Sequence, residues 1–461
     1  GLLALTIVPG IFIALILGFQ RANPVKMLLV AFGLNISFLM LFGYLLNLIY
    51  PMVRVPAPLS TMPLTLSLNL VLIPLGIIAL YKADLHLPRL KDLRLSGYNS
   101  TLFAILFPLI SISGVILLNQ YQVSTVLVSL LLLIVVYIAY VSLRGEKGSI
   151  HYPSVIFLIG ISLLVLQALR SDHIIGSDAH YEYQLFQLVM GNGLWQVYVN
   201  NPLDACLSIS ILPTVYAAFL PAIQPEMLFK VLYSVLFSIS PLVVFMISRI
   251  YIKDTYAFIA AVFFMSQNVF LNASYNPRTT VAILFFALVI WVVLDREIQP
   301  LQRSVLFFVF STSTIVSHYA TAFIFAFMLI AFWLFIAGLP LIFRKGRVKE
   351  IRQGHLAQGF SLYRVLFFSA VLFLWYGQVT AVPFQFGVYF FQKTYVTLSN
   401  FFVLESRGPV AQALGSTLSG STIPQYIEFA FSWLTVLGIT LGIFIVAYSV
   451  WRRRKSDASS L

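Results

Sequence analysis

The sequence predicts an all-α fold, a polytopic transmembrane helix bundle of about 13 spans. Three observations carry that prediction. Of 461 residues, 60% are hydrophobic and 9% charged, whereas a soluble domain has about 25% charged residues. No soluble fold of this length hides so much apolar surface. Apolar runs of about 20 residues, the length that crosses hydrocarbon, recur along the whole chain. The formal net charge of +13 rests on few charged residues. In a soluble chain it would suggest nucleic acid; here it is a signal of sidedness, and no nucleic-acid partner is expected.

The runs between breakers place candidate spans near 2–19, 26–49, 62–81, 101–118, 122–143, 153–169, 226–248, 255–274, 278–294, 303–317, 319–340, 361–382 and 425–450. Pro24, Pro51, Pro153, Pro277 and Pro424 mark boundaries where a helix starts or cannot continue. The run 205–220 is ambiguous, and the positive-inside rule decides it. With Arg452, Arg453, Arg454 and Lys455 in the cytoplasm and 205–220 not spanning, 22 of 28 basic residues fall inside. Arg54, Arg170, Lys230, Arg278, Lys393 and Arg407 stay outside. Counting 205–220 as a span would move every earlier basic loop outside. The segment 170–225 therefore reads as one external loop that lies on or dips into the outer surface.

The chain divides near residue 148. Residues 1–148 form an N-terminal transmembrane module of about five helices. Residues 149–461 form a second module with external loops 170–225 and 383–424. The basic loop 341–360 is a cytoplasmic anchor. The expected location is the plasma membrane, multi-pass, with the C-terminus cytoplasmic. Cys206 is the only cysteine, so neither an intrachain disulfide nor a Cys-pair metal site exists. The chain starts apolar at Gly1 without a signal-peptide n-region, which suggests a trimmed chain with a further span upstream. Asn99-Ser-Thr matches a glycosylation sequon but falls at the cytoplasmic edge and is discounted.

Loop 170–225 and the residue that follows it gather five carboxylates in a chain with only 15: Asp172, Asp178, Glu182, Asp204 and Glu226. Ser177 or Asp178 reads as an N-cap, 179–190 as a short helix, and Gly191-Asn192-Gly193 as its end. Asp178 and Glu182, four apart, share a helix face. His173 and His180 lie nearby, and Trp195 and Tyr198 suit a membrane interface. One reading is an ordinary solvated loop. The other is an acid–base or metal centre, with a carboxylate as general base on a hydroxyl or as an oxygen ligand of a divalent cation. Sequence leaves the cofactor open between these.

Two spans support a site on this side. Ser266, Gln267, Asn268, Asn272 and Ser274 crowd the outer half of 255–274, and Ser311, Thr312, Ser313, Thr314 and Ser317 that of 303–317. Polar groups at membrane depth face the bundle or a wet cavity, so a polar cavity is expected under loop 170–225. Arg278, His318, Tyr319 and Arg407 are candidates to bind substrate at its rim, since Arg and His can clamp phosphate. The alternatives are a snorkelling Arg278 and a helix-packing His318.

The order of a span, an external loop with an early Asp, a short surface helix, Gly-x-Gly, Asn-Pro-Leu and an apolar surface helix resembles the first-loop region of GT-C glycosyltransferases over roughly 150–450. The strings Gly-Ser-Asp-Ala-His-Tyr-Glu-Tyr, Leu-Ser-Ile-Ser-Ile-Leu-Pro-Thr and Ser-His-Tyr-Ala-Thr are similar to an uncharacterised archaeal family of polytopic proteins. Val-Pro-Gly at 8–10 and Leu-Leu-Asn-Leu-Ile-Tyr at 45–50 resemble another archaeal membrane module. The GT-C resemblance implies external juxtamembrane helices, a polyprenyl-phosphate-linked sugar donor and a glycan or protein acceptor. It assigns Asp178 as the catalytic base, with Glu182 and His180 positioning it or holding a metal. Arg278, His318 and Arg407 would stabilise the departing phosphate. Ala179 follows Asp178 where the family often has a second carboxylate, and no Trp-Trp-Asp motif occurs, which separates the chain from oligosaccharyltransferases. The competing readings are a transporter or flippase of lipid-linked saccharides, and a non-catalytic membrane scaffold.

Overall fold

The computed structural model describes residues 2–82, 99–145, 150–198, 201–342, 359–397 and 422–458. Among them every regular element is helical. Among the described residues ten helical stretches, three of them joined from consecutive elements (Thr101–Tyr121, Pro225–Ser248 and Leu362–Val379), are long and apolar enough to cross a membrane, so the chain is a multi-pass membrane protein. The helices, in order, are α1 (Leu2–Ile16), α2 (Pro24–Met52), α3 (Thr61–Lys82), α4 (Asn99–Ala104), α5 (Leu106–Tyr121), α6 (Thr125–Arg144) and α7 (Tyr152–Leu169). There follow α8 (Ser177–Asn192), α9 (Ile211–Phe219), α10 (Pro225–Phe237), α11 (Ser240–Ser248), α12 (Asp254–Met265), α13 (Asn268–Leu271) and α14 (Pro277–Leu294). Last come α15 (Pro300–Ser317), α16 (Tyr319–Ile342), α17 (Leu362–Phe373), α18 (Val382–Thr397) and α19 (Ile423–Ala458).

Three expected spans differ. The run 255–274 is not one helix. It stops at Met265 and continues as α13 and a 3-10 turn, Ala273–Tyr275, because Ser266 and Gln267 return side-chain hydrogen bonds to the Phe263 carbonyl and compete with the ladder. The first run gives only the 15 residues of α1. Helix α15 has 18 residues, but Gln302, Arg303 and its hydroxyl run make it too polar to count among those ten.

The compact unit Gly1–Gly387 takes in the expected module 1–148 and the second, 149–461, only as far as residue 387; Val388–Leu461 forms a second unit. In the first unit α2 packs on α1, α9 and α15. One joint explains how α1 survives a proline. Pro9 has no N–H, so the Leu5 carbonyl four residues back loses its partner. The Asn35 side chain of α2 replaces it, with Nδ2 donating to Leu5 O at 2.9 Å and Oδ1 accepting from Gly10 N at 3.4 Å. Gly10 is needed there, since a Cβ would stand 1.8 Å from the Ala31 carbonyl oxygen.

The segment 205–220 does not span. Helix α9 has nine residues, far short of the bilayer. It does not lie on the surface either, because Asp204 through Tyr216 are all buried. Leu207 N donates to Val316 O at 2.7 Å and Ser208 Oγ to Ser317 O at 3.1 Å. Tyr233 of α10 donates to Ser208 O at 2.8 Å, and Trp375 Nε1 to Ala205 O at 3.0 Å. The loop itself thus fills most of the place where a polar cavity was expected, and a water-sized pocket remains beside Gln167, Lys230 and Ser274.

The hydroxyl run of α15 serves packing rather than a cavity. Ser311, Ser313, Thr314 and Ser317 donate to carbonyls of their own helix, and Ser313 reaches Ser37 of α2 at 2.7 Å.

Candidate functional site

The site begins where α7 ends. Gln167 Nε2 donates to the Tyr275 hydroxyl at 2.8 Å, and Arg170 both bonds that hydroxyl and lies over the ring. Glu226 accepts Ile174 N at 2.8 Å and stands 3.6 Å from His173. These contacts pin the loop before it turns into α8. The turn is Gly176, with φ 104° and Tyr275 already 3.2 Å from where a Cβ would stand. Backbone and neighbour both exclude a side chain there. Gly176 is also the N-cap, which corrects the expected Ser177 or Asp178: no side chain caps this helix, and Asp178 lies in its first turn.

Helix α8 matches the expected short helix and extends it by two residues at each end. Ala179, Glu182, Phe186 and Val189 are buried on one stripe at helical spacing. Phe186 stacks on Phe229 of α10 at 5.7 Å, and Tyr183 meets the same ring edge-on at 5.4 Å. Packing on α10 sets the rotation of α8, which aims Asp178 and Glu182 at the start of α14.

Arg278 joins both carboxylates. Its Nη2 donates to Asp178 Oδ2 at 2.9 Å, its Nη1 to Glu182 Oε1, and its backbone N to Glu182 Oε2 at 3.1 Å. The backbone contact is possible because Arg278 follows Pro277 in the first turn of α14, where N–H groups lack helical partners. Glu182 is fully buried and Arg278 nearly so, whereas the Asp178 side chain is 49% exposed. Burial pushes the Glu182 carboxyl up, and the Arg278 charge and backbone N–H pull it partly back. Arg278 Nε is buried without a hydrogen-bond partner.

The other expected residues divide. His318 is buried between α15 and α16, with Nδ1 2.9 Å from Thr321 Oγ1. Burial, then the Arg278 charge, pushes it down to about 3, so its ring is neutral at pH 7. Tyr319 packs edge-on to His318 at 5.1 Å and lies within electrostatic reach of Arg278, as does Cys206. His180 is exposed. Two residues beyond Asp178, it points to the opposite side of α8 and does not join the cluster. Arg407 lies outside the described residues. Asp204 is structural: it accepts Tyr198 N at 3.1 Å and Asn201 N at 3.3 Å. Among the described residues no group of three or more His, Cys, Asp or Glu side chains could hold a metal ion.

Sequence reasoning missed Tyr275, Gln167 and Arg170 as the struts of the loop. Their signal was present in Arg170 at a span end and Tyr275 just before Pro277, but nothing in the spacing joins them across about a hundred residues.

Chemically, the cluster offers one solvent-reaching carboxylate at a helix N-terminus, oriented by a guanidinium that a buried carboxylate holds in place. A neutral imidazole and a phenol stand nearby. No protein-family model, curated protein or solved structure matches the chain.

Proposed function

We propose that the chain is a membrane glycosyltransferase of GT-C type, acting on the extracytoplasmic face of the plasma membrane with its C-terminus in the cytoplasm. It transfers a sugar from a polyprenyl-phosphate donor to a hydroxyl of a glycan or protein acceptor. The observation that supports this most is the 2.9 Å contact between half-exposed Asp178 and Arg278.

In this reading Asp178 takes the proton of the acceptor hydroxyl. The acceptor oxygen bonds to the anomeric carbon as the bond from that carbon to the phosphate oxygen breaks. The lipid phosphate leaves with the electron pair, and the single displacement inverts the centre. Arg278 stabilises the charge that develops on the phosphate. It reaches the phosphate by exchanging Asp178 for it at Nη2, which frees Asp178 for the acceptor. Glu182 keeps its hold and positions the guanidinium. Neutral His318 and Tyr319 supply hydrogen bonds to the sugar or phosphate.

A second reading is favoured by one observation: Glu182 is engaged through both oxygens and fully buried. The triad would then be a latch fixing α8 to α14 in a non-catalytic scaffold. Purified protein in liposomes, with pooled polyprenyl-phosphate sugars and a hydroxyl acceptor, decides between them. Asp178→Asn should lower transfer by about 10²–10⁴-fold. Undiminished transfer by that variant would refute the assignment of the base.

A further inference from the structure

A second charged cluster stands at the other end of α14, 17 residues and about 25 Å from Arg278. Lys26 there is held by Asp295 Oδ2 at 2.8 Å and by the exposed Glu297 at 2.6 Å. Arg303, in the first turn of α15, is 6% exposed, and its Nη2 donates to the carbonyls of Ile298 at 2.6 Å and Asp295 at 3.1 Å. Arg364, in the first turn of α17, is 3% exposed. Its Nη1 donates to Gly359 O at 2.6 Å and its Nη2 to Ser304 Oγ at 3.3 Å, over the Phe307 and Tyr363 rings.

Among the described residues neither arginine has a carboxylate within ion-pair distance. Among the described residues the one buried carboxylate at this end, Asp295, is committed to Lys26. Carbonyl oxygens solvate a guanidinium but do not neutralise it, and buried charges are ordinarily paired. The two charges also act on each other. Arg303 Nε and Arg364 Nε are both buried without a hydrogen-bond partner. Two helix N-termini, of α15 and α17, add positive potential at the same place.

We propose that Arg303 and Arg364 form a binding site for a phosphate group at the membrane face opposite Asp178. Guanidinium forks match phosphate oxygens in geometry as well as charge. The phosphate can come from a phospholipid headgroup or from solution. Exposed Leu301, Leu362 and Leu366 beside the site offer lipid chains a surface. The proposal is independent of the reading of the Asp178 cluster.

The test uses the full chain. Native mass spectrometry counts lipid retained after release from nanodiscs of phosphatidylglycerol or of a phosphate-free glycolipid. Inorganic phosphate is titrated separately against the protein in detergent. Saturable retention of phosphatidylglycerol alone identifies a lipid site, and saturable phosphate binding without lipid retention identifies a free-anion site; both support the proposal. Arg303→Gln and Arg364→Gln should each weaken binding by about tenfold or more. Arg303→Lys and Arg364→Lys keep the charge and the fold but lose the fork, and should weaken it by less. Equal binding of phosphate-bearing and phosphate-free ligands would overturn the site. So would binding that survives all four variants but disappears when Arg344, Lys345 and Arg347 of the basic run 341–360 become Gln.

Discussion

Stability and turnover should separate at the Asp178–Arg278–Glu182 cluster. Glu182→Ala removes the acceptor of both the Arg278 guanidinium and its backbone N–H at a fully buried position. Breaking a buried pair by deleting one partner costs about 3–5 kcal/mol, because the other charge stays buried. Glu182→Gln keeps an oxygen for the backbone N–H and drops the charge, so the loss falls to about 1–3 kcal/mol. Asp178→Asn is different. That side chain is half exposed, its ion pair is screened by water, and an amide oxygen still accepts from Nη2. The cost is below about 1 kcal/mol. The assay is reversible denaturant unfolding in mixed micelles, followed by tryptophan fluorescence, beside the liposome transfer assay. The order Glu182→Ala, then Glu182→Gln, then Asp178→Asn for stability should invert for turnover, where Asp178→Asn is the most damaging relative to its stability loss. If Asp178→Asn destabilises as much as Glu182→Ala, or leaves transfer intact, the division of labour is refuted.

Other outcomes follow from the packing. Asn35→Leu should cost about 1–3 kcal/mol by orphaning the Leu5 carbonyl, and Pro9→Ala should recover most of it by restoring the helix's own N–H; additive losses in that double-mutant cycle would contradict the repair. Gly10→Ala should cost about 1–3 kcal/mol or more in a thermal scan, as α1 is forced away from Ala31. His318, pushed down to about 3 by burial, binds no proton in the folded protein where the unfolded chain would. Stability attributable to it is therefore present above about pH 6.5 and is lost as pH falls toward about 3, so His318→Asn should lose less between pH 7 and pH 4, and a loss parallel to wild type would count against it. Cys206 is fully buried and its thiol is pushed up to about 12 by that burial, so it should ignore a membrane-impermeant maleimide. Ser171→Cys and Arg296→Cys should then label from opposite faces of sealed vesicles, and labelling from one face would overturn the sidedness.

How much of this was legible follows from what hydropathy measures. The helix at 177–192, its glycine end and the shared face of Asp178 and Glu182 could be read because all are local. That 205–220 does not span came from charges far from it, and the nine-residue α9 agrees. Its burial was not legible, since apolar content is the same for a segment against lipid and one wrapped by protein. The break after Met265 was hidden for a related reason. Ser266, Gln267 and Asn268 look like polar residues lining a pore, and only hydrogen bonding tells whether they end a helix. The α15 hydroxyls misled likewise, as Ser313 and Thr314 carry the same polarity whether facing water or returning bonds to their own helix. Arg278 was expected at the rim of a cavity; the structure sets it against Asp178, and its second partner, Glu182, makes it a held cation rather than an open one.

The buried segment at 204–216 bears on how the chain is made. As it leaves the ribosome, α1, α2 and α3 already exist, but the groups that close over it do not. Ser208 waits for Ser317, 109 residues later, and Ala205 for Trp375, 170 residues later. At about 5–20 residues per second that is roughly 5–35 s of synthesis. Throughout, a strongly apolar stretch too short to be held by the bilayer stands half covered. Substitutions that weaken the contacts of α2 and α10 with it should therefore show first as degradation of nascent chains, before any change is measurable in the mature protein.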